Sequence, residues 1–467
     1  MKTEPLIRVR PKFRPVLHPE FVPAVLWNRA YREAVGENGR GSDLAVAVER
    51  GDGTVSVVHT RILPHEGEAV AANQLYVERL VKFLLWQRGG YKVIVAGNFE
   101  LGAFIAGMYS AQGKRAFDHQ IMGERIYSRP MTVQSVPLDK APEENEISRA
   151  LGGHLDGCRV GFDLGGSDRK CAALIEGEVV HSEEVVWDPY FKEDPQWHLK
   201  EINDSLERAA AKLPRVDAIG GSAAGVYVNN EVRVASIFRG VPPELFEGRV
   251  RPLFLELQKK WGNVPFVVAN DGDVTALAGA MSIKDNAVLG VAMGTSLAAG
   301  YVNSRGHITN WLNELAFAPV DFHPQAPVDE WSGDGGVGAQ YFSQQAVGRL
   351  VPVAGIELPS EMPLPEKLIE VQKLVEAGAD RAPKIYETIG VYLGYAVALY
   401  AEFYEVRHLL VLGRVLSGAG GELIVATARQ VLLGEFPEVA EKVRLHMPGE
   451  QEKRLGQAVA AATLPGL

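Results

Sequence analysis

Three short segments combine residue types and spacing that could do chemistry. Asp163-Leu164-Gly165-Gly166-Ser167-Asp168 falls between two apolar runs, RVGFDL and KCAALI. Paired glycines let a backbone approach a ligand closely and can adopt positive φ, and successive N–H groups in such a turn make an anion-binding nest. An Asp at a strand end beside a phosphate can hold Mg²⁺ directly or through water. The same residues also suit a plain hairpin turn, so this motif alone does not decide. Met293-Gly294-Thr295-Ser296 repeats the arrangement between AVLGVAM and LAAGYV, and together the two hairpins suggest two phosphate loops facing each other across a cleft. The third segment, Asn270-Asp271-Gly272-Asp273, ends the run VPFVVAN and opens the helical pattern DVTALAGAM. Strand C-termini in α/β sheets face the ligand crevice, so an Asp there is placed to act as general base on a hydroxyl. The competing role for Asp271 or Asp273 is helix N-cap, and one Asp can cap while the other works.

Positioning these segments takes a regular scaffold. DLAVAVERGDGTVSVVHTRIL alternates on both sides of GDG and predicts a hairpin. AANQLYVERLVKFLLWQR places Tyr76, Leu80, Leu84 and Val77, Val81, Leu85 at helical spacing, a wide apolar face covered on two sides. KVIVAG reads as a strand and FELGAFIAGMYS as a helix, followed by the loop LDKAPEENEIS and a domain boundary near residue 150. Three strands, RVGFDL, KCAALIEG and EVVHSEEVV, then precede a helix over 196–212 and the strands VDAIGG, RVASI and VPFVVAN. Beyond AVLGVAM and LAAGYVN come the long helix KIYETIGVYLGYAVALYAEFYE, the strand HLLVLG, a helix around Glu422 to Leu432, the strand KVRLH and a closing helix from Glu450. Strands alternating with helices, with a hairpin opening each half, imply an α/β protein of two similar halves. The tyrosines along the long helix, from Tyr386 to Tyr404, read as packing. Residues 1 to about 40, rich in proline and charge, are expected to wrap over the surface, with Lys2, Arg8, Arg10, Lys12 and Arg14 on an extended arm.

Composition narrows the function classes. The 467 residues are 46% hydrophobic and 23% charged, enough apolar material for more than one core, which excludes a disordered, fibrous or disulfide-stapled chain. A net charge of -10 argues against a duplex nucleic-acid partner, because phosphate binding needs a basic face. The N-terminal stretch has no apolar run that could serve as a signal peptide and no segment predicts a membrane span, so a cytoplasmic protein with free Cys158 and Cys171 is expected. The scattered histidines form no His-x-x-x-His pair, so no catalytic metal cluster is expected.

In their order, Asp-x-Gly-Gly-Ser, Asn-Asp-Gly-Asp, Gly-Thr-Ser and then Asn313-Glu314-Leu315-Ala316-Phe317 resemble the ROK family of sugar kinases over residues 158–467. GSAAGVYVNNEVRVASI is similar to the segment preceding that family's sugar-contacting loop, and VLGRVLSGAGGEL to its late glycine turn near the adenosine. The resemblance implies an α/β, two-lobed actin-like ATPase (ribonuclease-H-like) fold, with lobes at 151–284 and 285–467, a last helix packing back on the first lobe, and an extra N-terminal α/β region at 1–150 of no assigned role. It implies ATP and Mg²⁺ as cofactors. Asp163 would sit near the metal, directly or through water. Gly165, Gly166, Ser167, Gly294, Thr295 and Gly413 would line the phosphate and nucleotide path. Asn270 and Glu314 would meet a sugar, and Asp271 would be the catalytic base. The expected partners are a sugar-like small molecule and a nucleotide, with no nucleic acid, no membrane, and a homodimer as an allowed assembly. The departures are Phe317 in place of a histidine, a cysteine-free 331–343 stretch where the family carries a zinc cluster, Asp168 beside the phosphate route and Arg414 in place of a glycine. No structural zinc is expected. A non-catalytic sugar or nucleotide sensor on the same fold is the rival reading, and an actin- or Hsp70-type ATPase is a third.

Overall fold

The computed structural model describes residues 6–146, 151–448 and 450–467, the side chains of 450–455 apart. Lys2 and the boundary near residue 150 lie outside them. The chain forms two compact units, one of Met1–Ile147, Val291–Ala299 and Trp311–Leu445, the other of Ser148–Gly290, Gly300–Asn310 and His446–Leu467.

In the first unit the hairpin strands β1 (Ser42–Glu49) and β2 (Val55–Ile62) join β3 (Lys92–Ala96) and β4 (Thr132–Val136) in a sheet of order β2-β1-β3-β4. β1 is antiparallel to both neighbours and β3 is parallel to β4. The helix Ala69–Arg88 buries Tyr76, Val77, Leu80 and Val81, as its spacing predicts, and also Glu78, Arg79 and Lys82. The N-terminal stretch departs from the expected surface wrap, because Ala24–Asn38 is a helix. Its Ala24, Val25, Trp27, Tyr31 and Val35 recur at helical spacing and are buried, and Gly39 ends it in the left-handed conformation. Tyr31 stacks on Tyr76 with ring centroids 4.2 Å apart, and burying each ring contributes about 2 kcal/mol. In the long helix Pro383–Phe403 the tyrosines are core residues. Gly390 and Gly394, one turn apart, let the helix Ala419–Glu435 approach so closely that a Cβ would lie 2.6 Å from Thr427 and 2.5 Å from Val431.

The second unit is built on β5 (Cys158–Leu164), β6 (Asp168–Ile175), β7 (Glu178–Val186), β8 (Ala218–Ala223) and β11 (Phe266–Asn270), in the order β11-β8-β5-β6-β7. β5, β8 and β11 run parallel, whereas β5, β6 and β7 form an antiparallel meander. β9 (Val226–Val228) and β10 (Glu231–Val234) make a separate hairpin. The expected strand RVASI stops at Val234, and Ser236–Phe238 turns instead, burying Ile237 and Phe238. One sheet face packs Phe162, Phe266 and Val268 against Ile202 and Leu206 of the helix Pro195–Ala210 and Phe254 of Leu253–Lys260. The other face receives the closing helix Glu450–Ala462. Gly161 and Gly220 permit this close seating, since a Cβ would lie 1.9 Å from the Ala458 carbonyl oxygen and 1.7 Å from that of Ala461. A last sheet has the order β13-β12-β14-β15, from β12 (Val288–Met293), β13 (Leu297–Val302), β14 (His408–Leu412) and β15 (Arg444–His446). Among the described residues no helix is long and apolar enough to cross a membrane.

Candidate functional site

Because β5, β8 and β11 are parallel neighbours, their C-terminal ends share one sheet edge. Asp163 lies opposite Ser222, and Asn270 opposite Ala223. Two strand spacings of about 4.8 Å separate β5 from β11, so the sheet brings Asp163 and Asp271 to the same edge. Asp163 is buried. Its Oδ1 accepts a 2.6 Å hydrogen bond from Ser222 Oγ, and Lys170 Nζ lies 3.5 Å from its Oδ2. Lys170 also pairs with Asp168 at 2.8 Å, so the charge that Asp168 adds is offset by a cation two residues away. Burial raises the Asp163 pKa, opposed by Lys170 and the Ser222 hydrogen bond.

Asp271 is half-buried where β11 gives way to the helix Asp271–Ile283. Burial, and then the nearby charge of Asp163, push its carboxyl up to about 6. The helix cap is neither of the two aspartates proposed from sequence. Asn270 Oδ1 accepts the Gly272 N–H at 2.7 Å, with Asp271 Oδ1 sharing that donor at 3.0 Å, and Asn270 Nδ2 donates to the Gly225 carbonyl at 2.7 Å. Asp273 is buried and accepts the Tyr301 N–H at 3.0 Å, fixing β13 against the helix. Asn270 is thus the N-cap, and Asp271 is the first residue of the helix. Tyr227 packs nearby, its pKa raised by burial and by the Asp271 charge, with its hydroxyl bonded to the Ala224 carbonyl at 3.0 Å.

A carboxyl raised to about 6 sets a pH dependence of known sign. The folded protein holds this proton more tightly than the unfolded chain, so Asp271 costs stability as pH rises from about 4 through 6. A base is active only when deprotonated, so any turnover relying on Asp271 should rise through the folded value of about 6. A pH–rate profile of kcat/KM flat between pH 5 and 7 would remove Asp271 as the titrating base.

The turn after β5 differs from a simple nest, because neither Gly165 nor Gly166 adopts positive φ. Gly166 is required for another reason: a Cβ there would lie 2.0 Å from the Tyr190 hydroxyl. Arg239 covers the Tyr190 ring at 3.9 Å, and Trp187 Nε1 donates to the Gly165 carbonyl at 2.8 Å. Ser167 Oγ donates to Asp168 at 3.0 Å. Tyr190, Arg239, Lys170 and Ser222 were not singled out by sequence.

The remaining candidates belong to the first unit. Gly294 donates its N–H to the Ser296 carbonyl at 2.9 Å and accepts from Gln344 N–H at 2.9 Å, leaving Thr295 exposed at the tip. Gly413 follows β14 at φ 107°, where a Cβ would fall 2.4 Å from the Met293 carbonyl oxygen. Gly413→Ala should therefore disturb the turn beside Gly294, because φ 107° and ψ 168° form a backbone region essentially reserved for glycine, lowering stability by about 1–3 kcal/mol for the backbone conformation alone; an unchanged denaturation midpoint would contradict this. Glu314 is half-buried and donates its N–H to the Trp86 carbonyl at 2.8 Å, while Asn313, at φ 53°, donates to the Gln87 carbonyl at 2.9 Å. The C-terminal end of the helix Ala69–Arg88 thus holds the Glu314 backbone. Phe317 packs on Trp86, with centroids 4.3 Å apart.

The cysteine-free 331–343 stretch carries an ionic anchor. Asp334 is buried against Arg115, Arg79 at 3.3 Å and Lys82 at 3.4 Å. Glu78 pairs with Arg79 and Arg115, and Asp118 accepts from Lys82 at 2.6 Å and Trp86 Nε1 at 2.5 Å. Three cations face three anions in one buried cluster. Among the described residues, Cys171, His181 and Glu183 are a group of metal-ligand types lying close together, but burial and Glu183 push the Cys171 thiol up to about 12.

No protein-family model and no curated protein matches this chain. Solved structures share its fold. The ROK hexokinase from Thermus thermophilus aligns over 65% of this chain and 97% of its own, with 20% identity and a TM-score of 0.51. The ROK family transcriptional regulator homologous to the E. coli MLC protein aligns over 84% and 95%, with 17% identity and a TM-score of 0.53. A ROK family glucokinase from Streptomyces griseus, in complex with glucose and AMPPNP, covers 66% and 98%, with 19% identity and a TM-score of 0.46. The chain thus has the α/β, actin-like fold of ROK proteins, and the hexokinase match leaves the N-terminal part uncovered.

Proposed function

We propose that this protein transfers a phosphoryl group from ATP to a hydroxyl of a sugar or sugar-like molecule. The observation that carries this reading is Asp271, half-buried at the edge it shares with Asp163 and raised to about 6. A base near neutrality can accept a hydroxyl proton at working pH yet is ionised enough to do so. In this reading Asp271 Oδ takes the proton as the hydroxyl oxygen attacks, while Asn270 keeps the loop aligned and offers the substrate what its amide has left. The Asp163 charge raises the Asp271 pKa, and that of Asp168 raises the Asp163 pKa, repulsions that a divalent cation would relieve, so the residues present fit Mg²⁺ held by Asp163 directly or through water. The ion would neutralise charge on the transferred group, a reaction driven mostly by positioning and electrostatics. Lys170 pairs with Asp168 on its own strand and faces Asp163 on the neighbouring one. Gly165, Gly166 and Ser167, with Gly294, Thr295 and Gly413, are assigned by resemblance to phosphate and nucleotide, and Glu314 to the sugar ring.

The test is product identity: phosphorus NMR of protein, Mg·ATP and sugar should show a phosphomonoester appearing with ADP. The second reading, a non-catalytic regulator that binds sugar on the same fold, is favoured by the likeness to the ROK transcriptional regulator. Saturable sugar binding without any phosphomonoester would select it.

A further inference from the structure

Trp331 stands at the tip of a hairpin built to hold it still. Val328 and Gly335 form a bridge, Asp329 N–H donates to the Asp334 carbonyl at 2.9 Å, and Gly333 N–H donates to the Asp329 carbonyl at 2.8 Å. The Asp329 carboxylate accepts from Ser332 N–H and Oγ at 2.8 and 2.7 Å. Beneath the hairpin, Asp334 is locked into the buried ionic cluster. Yet this anchored loop leaves Trp331 60% exposed, whereas Trp27, Trp86 and Trp187 are at most 7% exposed. Two rings brace it edge-on: Phe117 and Phe317 each lie 5.2 Å from Trp331, at 74° and 63°. Phe317 closes the short turn Leu315–Phe317 that Glu314 opens, and Glu330, next to Trp331, is exposed.

We propose that Trp331, braced by Phe117 and Phe317, is a stacking platform for a pyranose ring of the substrate; this rests on the sugar reading of the Glu314 segment given above. The C–H hydrogens on one face of a pyranose are weakly positive and suit the negative face of an indole. The ring's rim of hydroxyls suits a carboxylate such as that of the neighbouring, exposed Glu330, because charge-assisted hydrogen bonds are the stronger ones. A protein partner fits less well. Val328 and Trp331 are the large exposed apolar side chains of this hairpin, far short of the roughly 1,200 Å² that a stable protein interface buries. The substrate class that follows is a hexopyranose with one face free of axial hydroxyls, and Phe117 makes the N-terminal region part of sugar recognition.

The test uses the full chain labelled with 5-fluorotryptophan, with the Trp331 signal assigned from Trp331→Phe. D-aldohexoses and their methyl glycosides are titrated by fluorine NMR and by calorimetry. The expected result is a saturable shift of the Trp331 signal with the sugars that bind. Trp331→Ala should raise KM for those sugars about three- to tenfold, more than it changes kcat, and Trp331→Phe should recover much of the loss. A sugar that binds or turns over while the Trp331 signal stays fixed and the Trp331→Ala KM is unchanged would overturn the platform and leave the kinase reading standing. A sugar that shifts the signal without phosphomonoester formation would support the platform and count against the kinase reading. No binding by calorimetry and no shift would overturn the platform, and the phosphorus NMR above then decides the kinase reading.

Discussion

Asp271→Asn should lower kcat by about 10²- to 10⁴-fold, the range that general-base catalysis supplies, or about 3–5 kcal/mol of barrier. The fold should survive the change. Asn270 provides the cap, and the Asp271 share of the Gly272 N–H bond is one an asparagine oxygen can keep. Stability at pH 7 should stay the same or rise, because the substitution removes a carboxylate that burial and Asp163 hold above its ordinary pKa. Turnover lost with the melting temperature intact therefore separates a catalytic role from a structural one. Asp273→Asn makes the opposite forecast, since that side chain holds the Tyr301 backbone and its loss should appear first in the melting temperature.

The second large effect concerns the buried ions. Lys82 is fully buried, its Nζ 2.6 Å from Asp118 and 3.4 Å from Asp334. Lys82→Met removes the cation and leaves both carboxylates buried without it. Breaking a buried pair from one side costs about 3–5 kcal/mol, largely the penalty of the stranded charge. Chemical denaturation followed by circular dichroism should show an earlier midpoint for the first unit's transition. Asp118→Asn in the Lys82→Met background should recover part of it by removing a stranded charge. A Lys82→Met protein as stable as the parent would show that the cluster contributes little.

What the sequence discloses follows what is local. Asp163 and Asp271 stood out because each ends an apolar run beside a glycine or a helix start. That they share an edge depends on the order β11-β8-β5, a long-range pairing that no local pattern encodes. Ser222 was hidden inside the small-residue strand AIGGSA, and Lys170 looked like an ordinary outward residue of an alternating strand. Glu78, Arg79 and Lys82 read as polar positions on a helix whose apolar face was plain; their burial is set by Arg115, Asp118 and Asp334, distant in the chain. The helix Ala24–Asn38 is a different case. Its apolar spacing is legible, but it lies among prolines and charges that favour an extended surface segment. At Gly166 the constraint is tertiary: the Tyr190 hydroxyl, rather than a positive φ, forbids a side chain there.

The most direct test of phosphoryl transfer to a sugar is ADP release by the purified full chain with Mg·ATP across a panel of sugars and amino sugars, run in parallel with Asp271→Asn. The expected result is release above the sugar-free rate for one sugar or a small related set, rising through about pH 6 and falling about 10²- to 10⁴-fold in the variant. ADP release that is the same with every sugar and with none, or that is equal in parent and variant, would contradict it.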